Sequence, residues 1–218
     1  VISTVLDKTA FTCSDTGANT VALTVTDING NISTATAVVT VFDSIKPTIV
    51  TKIDTLWLDT AGTVSFGFSN FNHGTYDNCA IADSGSTTST LNCADTGLNT
   101  IVIYVADQSL NVDSANATLL ILDTIKPTVI TTNITVNLDS SGDAVITAAQ
   151  IDNGSLDNCA IDTIYLDNYD FTCSDVGSNT VTLTVTDVNG NVSNKTAIVT
   201  LVDTIKPTVV TKNNTIYL

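Results

Sequence analysis

The sequence predicts an all-β protein made of small modules repeated along the chain, and three observations support this. The sequence repeats with a period of about 80 residues, apolar and polar residues alternate in short runs as they do in half-buried strands, and helix-favouring residues are scarce. Glu, Arg and Met are absent, while Thr, Val, Ile, Asn, Asp and Gly are abundant. Such a composition is typical of strands joined by tight turns.

Two marks recur once in every period: a cysteine (Cys13, Cys93, Cys173) and a proline within Ile-Lys-Pro-Thr (Pro47, Pro127, Pro207). Around the cysteines the sequence is nearly copied, as CSDTGANTVALTVTD, CADTGLNTIVIYVAD and CSDVGSNTVTLTVTD. A unit of this length is large enough to have its own core. The repeats are therefore expected to be separate domains rather than coils of a solenoid.

The module boundaries are set by the tract Asp-Ser/Thr-Ile-Lys-Pro, which begins at Asp43, Asp123 and Asp203. Proline fixes its own φ and keeps the preceding residue extended, so each tract is a short, stiff linker. We call them the first (43–47), second (123–127) and third linker (203–207). The expected domains are the C-terminal part of a module (1–43), two complete modules (44–123 and 124–203) and the first strand of another (204–218). The chain is thus expected to be a window from a longer protein.

The strands of module 124–203 are predicted in order. An extended stretch follows Pro127 and runs over 128–138, a turn at 141–143 leads to a strand over 144–149, and 151–158 is a polar loop. A third strand covers 159–166, a short fourth lies near 169–173, and 175–178 is a turn.

The clearest strand is Val181-Thr182-Leu183-Thr184-Val185-Thr186, in which the apolar side chains all face one side. Asp187-Val188-Asn189-Gly190-Asn191 is a hairpin turn, because Asn-Gly supplies residues that accept positive φ, and a last strand covers 192–202. About seven short strands in such a unit indicate an immunoglobulin-like β-sandwich. Modules of this kind, arranged end to end, would make a rod.

The charge excludes some function classes. The net charge is −15, all 22 acidic residues are Asp and all seven basic residues are Lys. An acidic surface disfavours nucleic acid and anionic membranes as partners. It suits divalent cations, although simple solubility explains it equally well. No stretch is long and apolar enough for membrane insertion.

The cysteines point to an oxidising compartment. Cys79 and Cys93 lie close together in the sequence, Cys159 and Cys173 have the same spacing, and this spacing predicts one disulfide within each module. Cys13 would then pair with a residue outside the chain. Such a bond contributes roughly 3 kcal/mol in the chain-entropy model and needs an oxidising environment. The alternative is a pair of reduced core cysteines.

Carboxylates are expected to meet at one pole of each module. A linker aspartate, an Asp-Asn-Cys loop and the last hairpin should lie together there, and without lysine partners they would repel one another. Calcium, which takes six to eight oxygen ligands, would relieve this repulsion and stiffen the joint. The alternative is that these residues serve only turns. The candidate ligands are Asp43, Asp77, Asp107, Asn111, Asp123, Asp157, Asp187, Asn189 and Asn191.

No active site is predicted, so the chain is not expected to be an enzyme. The only histidine, His73, is replaced by Asn153 one period later. Trp57 likewise aligns with Asn137. No nucleophile elbow, phosphate loop or Cys/His metal spacing occurs.

The segment Gly-Ser-Asn-Thr-Val-Thr-Leu-Thr-Val-Thr-Asp-Val-Asn-Gly-Asn resembles the core of HYR (hyalin repeat) domains, which have an immunoglobulin-like fold. The Asp-Asn-Cys and Phe-Thr-Cys-Ser-Asp segments are more similar to HYR-like repeats of very large Bacteroidota surface adhesins, including gliding-motility adhesins. The resemblance covers the whole chain, module by module. It implies cell adhesion and a location outside the cell, on a bacterial surface. One departure is Ala197, since many hyalin repeats carry a cysteine in that strand.

The resemblance also implies O-glycosylation, because Bacteroidota modify exported proteins at Asp-Ser/Thr followed by a small apolar residue or Thr. Roughly three such triplets are expected by chance in this composition. The alternative is that the triplets form ordinary turns. Seven occur, with acceptors Ser44, Thr55, Thr60, Ser114, Thr124, Thr163 and Thr204.

The function predicted from these observations is a non-catalytic stalk that spaces a distal domain from the cell. Its partners would be neighbouring repeats, and surface polysaccharide or other cells would be contacted through domains outside this chain. The alternatives are a repeat unit of an extracellular filament and a module that binds polysaccharide or protein. The stalk is favoured because the linkers and turns repeat best, while the loop 68–76 diverges from 148–156.

Overall fold

The computed structural model describes residues 1–216, and the chain is 50% strand and 8% helix. It forms two compact units, one of Val1–Leu56 with Val64–Leu122 and the other of Trp57–Thr63 with the chain from Asp123 onward. The predicted all-β class is confirmed.

The strands are named in chain order. They are β1 (Ser3–Leu6), β2 (Gly17–Thr26), β3 (Ile32–Val41), β4 (Asp54–Trp57), β5 (Thr63–Ser65), β6 (Ile81–Ser86), β7 (Thr90–Asn92), β8 (Gly97–Asp107), β9 (Val112–Leu122), β10 (Ile134–Asn137), β11 (Asp143–Val145), β12 (Ile161–Leu166), β13 (Asp170–Thr172), β14 (Gly177–Asp187) and β15 (Val192–Val202). Short 3₁₀ turns lie at Cys13–Asp15, Cys93–Asp95 and Cys173–Asp175.

The strands pair in the same way after each of the first two linkers. After the second linker one sheet has the order β10-β15-β14-β12, and a smaller sheet pairs β11 with β13. β10 runs parallel to β15, and the other neighbours are antiparallel. After the first linker the sheets are β4-β9-β8-β6 and β5-β7. Sheets of short, mostly antiparallel strands around one core are the predicted immunoglobulin-like sandwich.

The predicted alternation in β14 is confirmed. Val181, Leu183 and Val185 are fully buried, and the threonines between them are half-buried. These three side chains share one apolar core with Ala144 of β11 and Phe171 of β13. Strands β1, β2 and β3 form a single sheet, and Leu23 keeps 38% of its surface exposed.

Two single-turn helices are present. Helix α2 (Ala148–Ile151) lies where the sequence predicted the end of a strand and the start of a polar loop, and α1 (Phe68–Phe71) begins the predicted loop 68–76. Each helix ends on a side chain with no exposed surface, Phe71 or Ile151. A single turn places one apolar residue in the core and is too short to show a helical period. Neither helix was therefore predicted from the sequence.

The first extended stretch is also shorter than predicted. Of the predicted 128–138 stretch, only β10 is a regular strand. The residues before it make isolated bridges, Thr128 with Leu156 and Thr131 with Asp152.

The predicted disulfides are wrong. Cys13 is bonded to Cys79, 66 residues away, so its partner lies within the chain and Cys79 is not bonded to Cys93. Cys173 is a free, exposed thiol and is not bonded to Cys159. Cys93 and Cys159, which stand one period after Cys13 and Cys79, are both disulfide-bonded.

The predicted cysteine pairs do not form because of the length of the strands. Asn191, just before β15, donates to the carbonyl of Asp123 in the second linker, whereas the end of β15 leads directly into the third linker. Cys159 lies near the second linker, because the neighbouring Asn158 contacts Asp123. Cys173 lies at the other end of the strands, in a groove that the third linker also lines. Eleven residues of strand span roughly 36 Å, while the Cα atoms of a disulfide lie within about 7 Å. Closeness in sequence therefore misled the prediction.

We expect trypsin to reveal the Cys13–Cys79 bond, because the cleavable lysines separate these two cysteines. Lys-Pro bonds resist trypsin, so cleavage at Lys8, Lys52 and Lys195 gives peptides 9–52 and 53–195. Mass spectrometry without reductant should find these two peptides joined, and reductant should separate them. Peptide 9–52 found alone with a free thiol, without reductant, would contradict the bond.

The hairpin between β8 and β9 contains a strained residue. Leu110 has φ +68°, where the equivalent residues Gly30 and Gly190 have φ +84° and +87°. A side chain in this left-handed region costs roughly 1–2 kcal/mol. Leu110 is 82% exposed, so its burial does not offset that cost.

We predict that Leu110→Gly raises the free energy of unfolding by about 1 kcal/mol, measured by chemical denaturation. The matched variant Gly190→Ala should lower it by a similar amount, because it introduces a side chain at the same position of the next hairpin. A Leu110→Gly protein no more stable than the wild type would refute this account.

Candidate metal centre at the linkers

Three aspartates meet at each of the first two linkers. In the first cluster, Asp43, Asp77 and Asp107 each place a carboxylate oxygen within 4.8 Å of the others. The second cluster repeats this arrangement one period later, as Asp123, Asp157 and Asp187. The structure thus brings together the linker, loop and hairpin carboxylates that the sequence analysis singled out.

The linker aspartates are fixed by a local turn. The Oδ1 atom of Asp43 accepts a hydrogen bond from the N–H of Ile45 (3.1 Å), and that of Asp123 accepts one from Ile125 (3.0 Å). This turn explains why an aspartate precedes the lysine and proline. It uses only one carboxylate oxygen and leaves Oδ2 to point elsewhere.

The Asp-Asn-Cys loops supply the second carboxylate and a clamp on the linker. Oδ2 of Asp157 accepts the N–H of Cys159 (3.0 Å), and the next side chain, Asn158, donates Nδ2 to Oδ1 of Asp123 (3.3 Å). In the preceding copy Asn78 donates to Oδ1 of Asp43 (3.2 Å). The loop therefore holds the linker aspartate while its own aspartate turns towards it.

The hairpins supply the third carboxylate, which is buried. Oδ1 of Asp107 accepts the N–H groups of Ser109 and Asn111, both at 2.8 Å, and Oδ2 accepts Nδ2 of Asn111 (2.7 Å). Burial raises the pKa of Asp107, but these hydrogen bonds outweigh it and lower the pKa below the usual value of 3.8. Asp107 is therefore ionised at neutral pH although no part of it is exposed.

The hairpin asparagines connect the third carboxylate to the linker. Nδ2 of Asn111 also donates to the carbonyl of Asp43 (3.1 Å), and Nδ2 of Asn191 donates both to Asp187 (2.8 Å) and to the carbonyl of Asp123 (3.3 Å). These contacts use the amide nitrogen, which is a donor. In this arrangement Asn111 and Asn191, both predicted as ligands, position the carboxylates.

Several oxygens of the clusters have no hydrogen-bond partner although they are buried. They are Oδ2 of Asp43, Oδ1 of Asp77, Oδ2 of Asp123, Oδ1 of Asp157 and Oδ1 of Asn189. Asp123 as a whole is only 7% exposed. Leaving a buried carboxylate oxygen unpaired is costly.

No lysine neutralises the clusters. Within residues 1–216 the only ion pair joins Lys8 to Asp15, outside both clusters. The donors that meet there are oxygens, without cysteine or histidine, which fits a hard cation such as Ca²⁺ and not Zn²⁺. Three carboxylates supply part of a calcium shell, and Asn189, backbone carbonyls and water are the remaining sources of oxygen.

The other predicted site residues lie on the surface or in strands. The residues predicted as glycosylation acceptors are exposed, except Thr55, which is half-buried in β4. His73 is exposed, and Trp57 keeps 56% of its surface exposed. Among residues 1–216 there is no helix long and apolar enough to cross a membrane.

Sequence reasoning missed two features of the joint: the Cys13–Cys79 bond across the first linker and the asparagine clamps on the linker aspartates. The repeated Asn before each loop cysteine was the available signal. The pair Asn78-Cys79 recurs one period later as Asn158-Cys159. A turn alone does not require this recurrence, so the repeated asparagine indicated a further role.

Comparisons with known proteins find similar solved structures but no family. No protein-family model matches it, and no curated protein does. Among solved structures it is similar to the protocadherin GammaB4 extracellular domain (15% identity, TM-score 0.37, covering 84% of this chain and 38% of that one). It is also similar to protocadherin Gamma C5 EC1-3 (8% identity, TM-score 0.39, covering 86% and 78%) and to mouse PcdhgC3 EC1-3 (12%, 0.35, covering 85% and 77%). The chain thus spans well under half of the GammaB4 domain.

Proposed function

We propose that this chain is a non-catalytic spacer from a secreted or cell-surface adhesin, and that calcium bound at each linker holds consecutive modules in a fixed relation. The observation that carries the proposal is the carboxylate cluster, which occurs twice with the same three aspartates. In each cluster the linker and loop aspartates carry a buried oxygen without a partner. A spacer needs repeated joints, and the joint is what repeats here.

The extracellular location is supported by the disulfides, which persist in oxidising compartments. The resemblance to HYR-like repeats of Bacteroidota adhesins, including those of gliding motility, supports a bacterial surface. Module boundaries at 43/44, 123/124 and 203/204 are part of the proposal, and so are partners carried by domains outside this chain.

Calcium titration tests the proposal directly. We expect two Ca²⁺ ions per chain by calorimetry, and at free calcium 100 times the Kd each site adds about 2.7 kcal/mol to the free energy of unfolding. The double variant Asp123→Asn with Asp157→Asn should bind one ion, because it removes two charges from one cluster. The matched control Asp162→Asn, an exposed aspartate outside both clusters, should still bind two.

No heat of binding and no change in melting temperature with calcium or chelator would refute the calcium joint. Small-angle scattering should also show a longer, narrower distribution of distances with calcium than with chelator. Association of chains in calcium, seen by sedimentation, would favour the filament instead. Retention on immobilised polysaccharide would favour the binding module.

Glycans at the linkers are a separate part of the proposal. Ser44, Thr124 and Thr204 are exposed and occupy the same linker position, where an O-linked sugar would shield the joint from proteases. Material from the native source should exceed the mass of the bare polypeptide, and Ser44→Ala should remove one glycan. A native mass equal to that of the polypeptide would exclude glycosylation.

A further inference from the structure

Cys173 lies in a groove at the third linker that has a counterpart one period earlier. The groove has a volume of about 380 Å³ and is lined by the turn 139–142, Cys173, and Asp203 with Ile205, Lys206 and Pro207. The earlier counterparts of its main parts are the turn at Asp59, Cys93 and the second linker at Asp123. The two places can therefore be compared within one molecule.

At the earlier place an asparagine connects the turn to the linker. Nδ2 of Asn158, from an Asp-Asn-Cys loop, donates to the carbonyl of Asp59 and to Oδ1 of Asp123, both at 3.3 Å. The turn that supplies that carbonyl has the same hydrogen bonds as the turn at Asp139, where the N–H of Gly142 donates to the Asp139 carbonyl (3.0 Å). The third linker also has the same local turn, since Asp203 accepts the N–H of Ile205 (2.9 Å). The groove thus contains Asp139 and Asp203, the counterparts of the two residues that accept hydrogen bonds from Asn158 one period earlier.

The cysteine in this groove is also equivalent to a bonded one. Cys13, two periods before Cys173, is bonded to Cys79 of an Asp-Asn-Cys loop, and Asn78 of that loop donates to Asp43 of the adjacent linker. Gly142 leaves space for the sulfur, because a Cβ atom there would lie 2.4 Å from Sγ of Cys173. The glycine keeps this wall of the groove open beside the thiol.

Two of the linker residues at this groove are exposed, whereas their counterparts one period earlier are buried. Asp123 is 7% exposed and Pro127 is buried, whereas Asp203 and Pro207, their counterparts, are exposed. The groove walls combine polar groups, among them the Asp203 carboxylate and the Cys173 thiol, with the apolar side chains of Ile205 and Pro207. Such walls suit a polar loop with an amide donor and a cysteine.

We propose that this groove binds the Asp-Asn-Cys loop of a further repeat continuing from Asp203, and that Cys173 forms a disulfide with the loop cysteine. The asparagine amide donates to the Asp139 carbonyl and to the Asp203 carboxylate. The two thiols lose two protons and two electrons as the S–S bond forms, and a disulfide oxidant such as oxidised glutathione accepts them and becomes two thiols. The inference deepens the proposed spacer function and rests on it, because it identifies what holds the next module.

The test extends the chain by a copy of residues 139–203 placed after Leu218, which continues the repeat from the third linker. After refolding with oxidised and reduced glutathione, proteolysis and mass spectrometry should join Cys173 to the added loop cysteine. The cysteine of the added copy that corresponds to Cys173 should be the only free thiol. Cys173→Ser in the extended chain should leave the loop cysteine free as well, while Cys13 stays bonded to Cys79.

A loop cysteine bonded to the other cysteine of its own added copy, or a Cys173 that stays free while the added copy is folded, would overturn the inference. Folding of the added copy is checked by amide hydrogen exchange of its β14 and β15 counterparts. Calcium stoichiometry reports separately on the spacer proposal. A Cys173 bond in a chain that binds no calcium would keep this inference and remove the calcium joint.

Discussion

The aspartates of the first and second linkers, Asp43 and Asp123, are each held by two other parts of the chain at once, and the rest of the joint depends on this. In the second cluster, the backbone carbonyl of Asp123 accepts from Asn191 of the hairpin, and its carboxylate accepts from Asn158 of the loop. Both contacts end on a residue whose carboxylate is already held by a local turn, in which its Oδ1 accepts the N–H of Ile125. The hairpin and the loop are therefore brought to the same point, and their own carboxylates, Asp187 and Asp157, arrive with them. Charge concentration at the joint is a consequence of how the linker is held.

Such a joint differs from one held by apolar packing. The contacts that hold Asp123 are amide hydrogen bonds, each contributing about 1 kcal/mol, and the clustered charges oppose them. At the first linker the Cys13–Cys79 bond adds a covalent constraint that closes 66 residues, worth about 4 kcal/mol in the chain-entropy model. The disulfide limits how far the segments can separate. A cation bound as proposed would act in a complementary way, because it would remove the repulsion between the clustered carboxylates.

The sequence predicted the parts of this structure that depend on local patterns. The alternation of Val181, Leu183 and Val185 and the Asn-Gly turn after them each reflect a preference of neighbouring residues, and both were predicted correctly. The disulfides failed because their partners are set by which end of a strand a residue occupies, and this depends on tertiary structure. The helix Ala148–Ile151 failed because one turn carries no period. The meeting of three carboxylates was predicted because each of three separate segments keeps its aspartate from one repeat to the next. Local turn chemistry alone does not require this.

The segments 44–123 and 124–203 keep the same residues at the first and second linkers although they differ elsewhere. His73 and Asn153 occupy one position, as do Trp57 and Asn137, so neither a titrating ring nor an aromatic platform is common to both. The residues that are identical in both copies and meet at the linker are three aspartates, the loop asparagine and cysteine, and the hairpin asparagine. Leu110 shows that even a turn glycine can be replaced where it only serves the backbone, at the cost of strain. The hairpin that tolerates this strain still keeps Asp107 and Asn111, which contact the linker. The proposed spacer function would therefore depend on these contacts at the linkers and not on a site on the module faces.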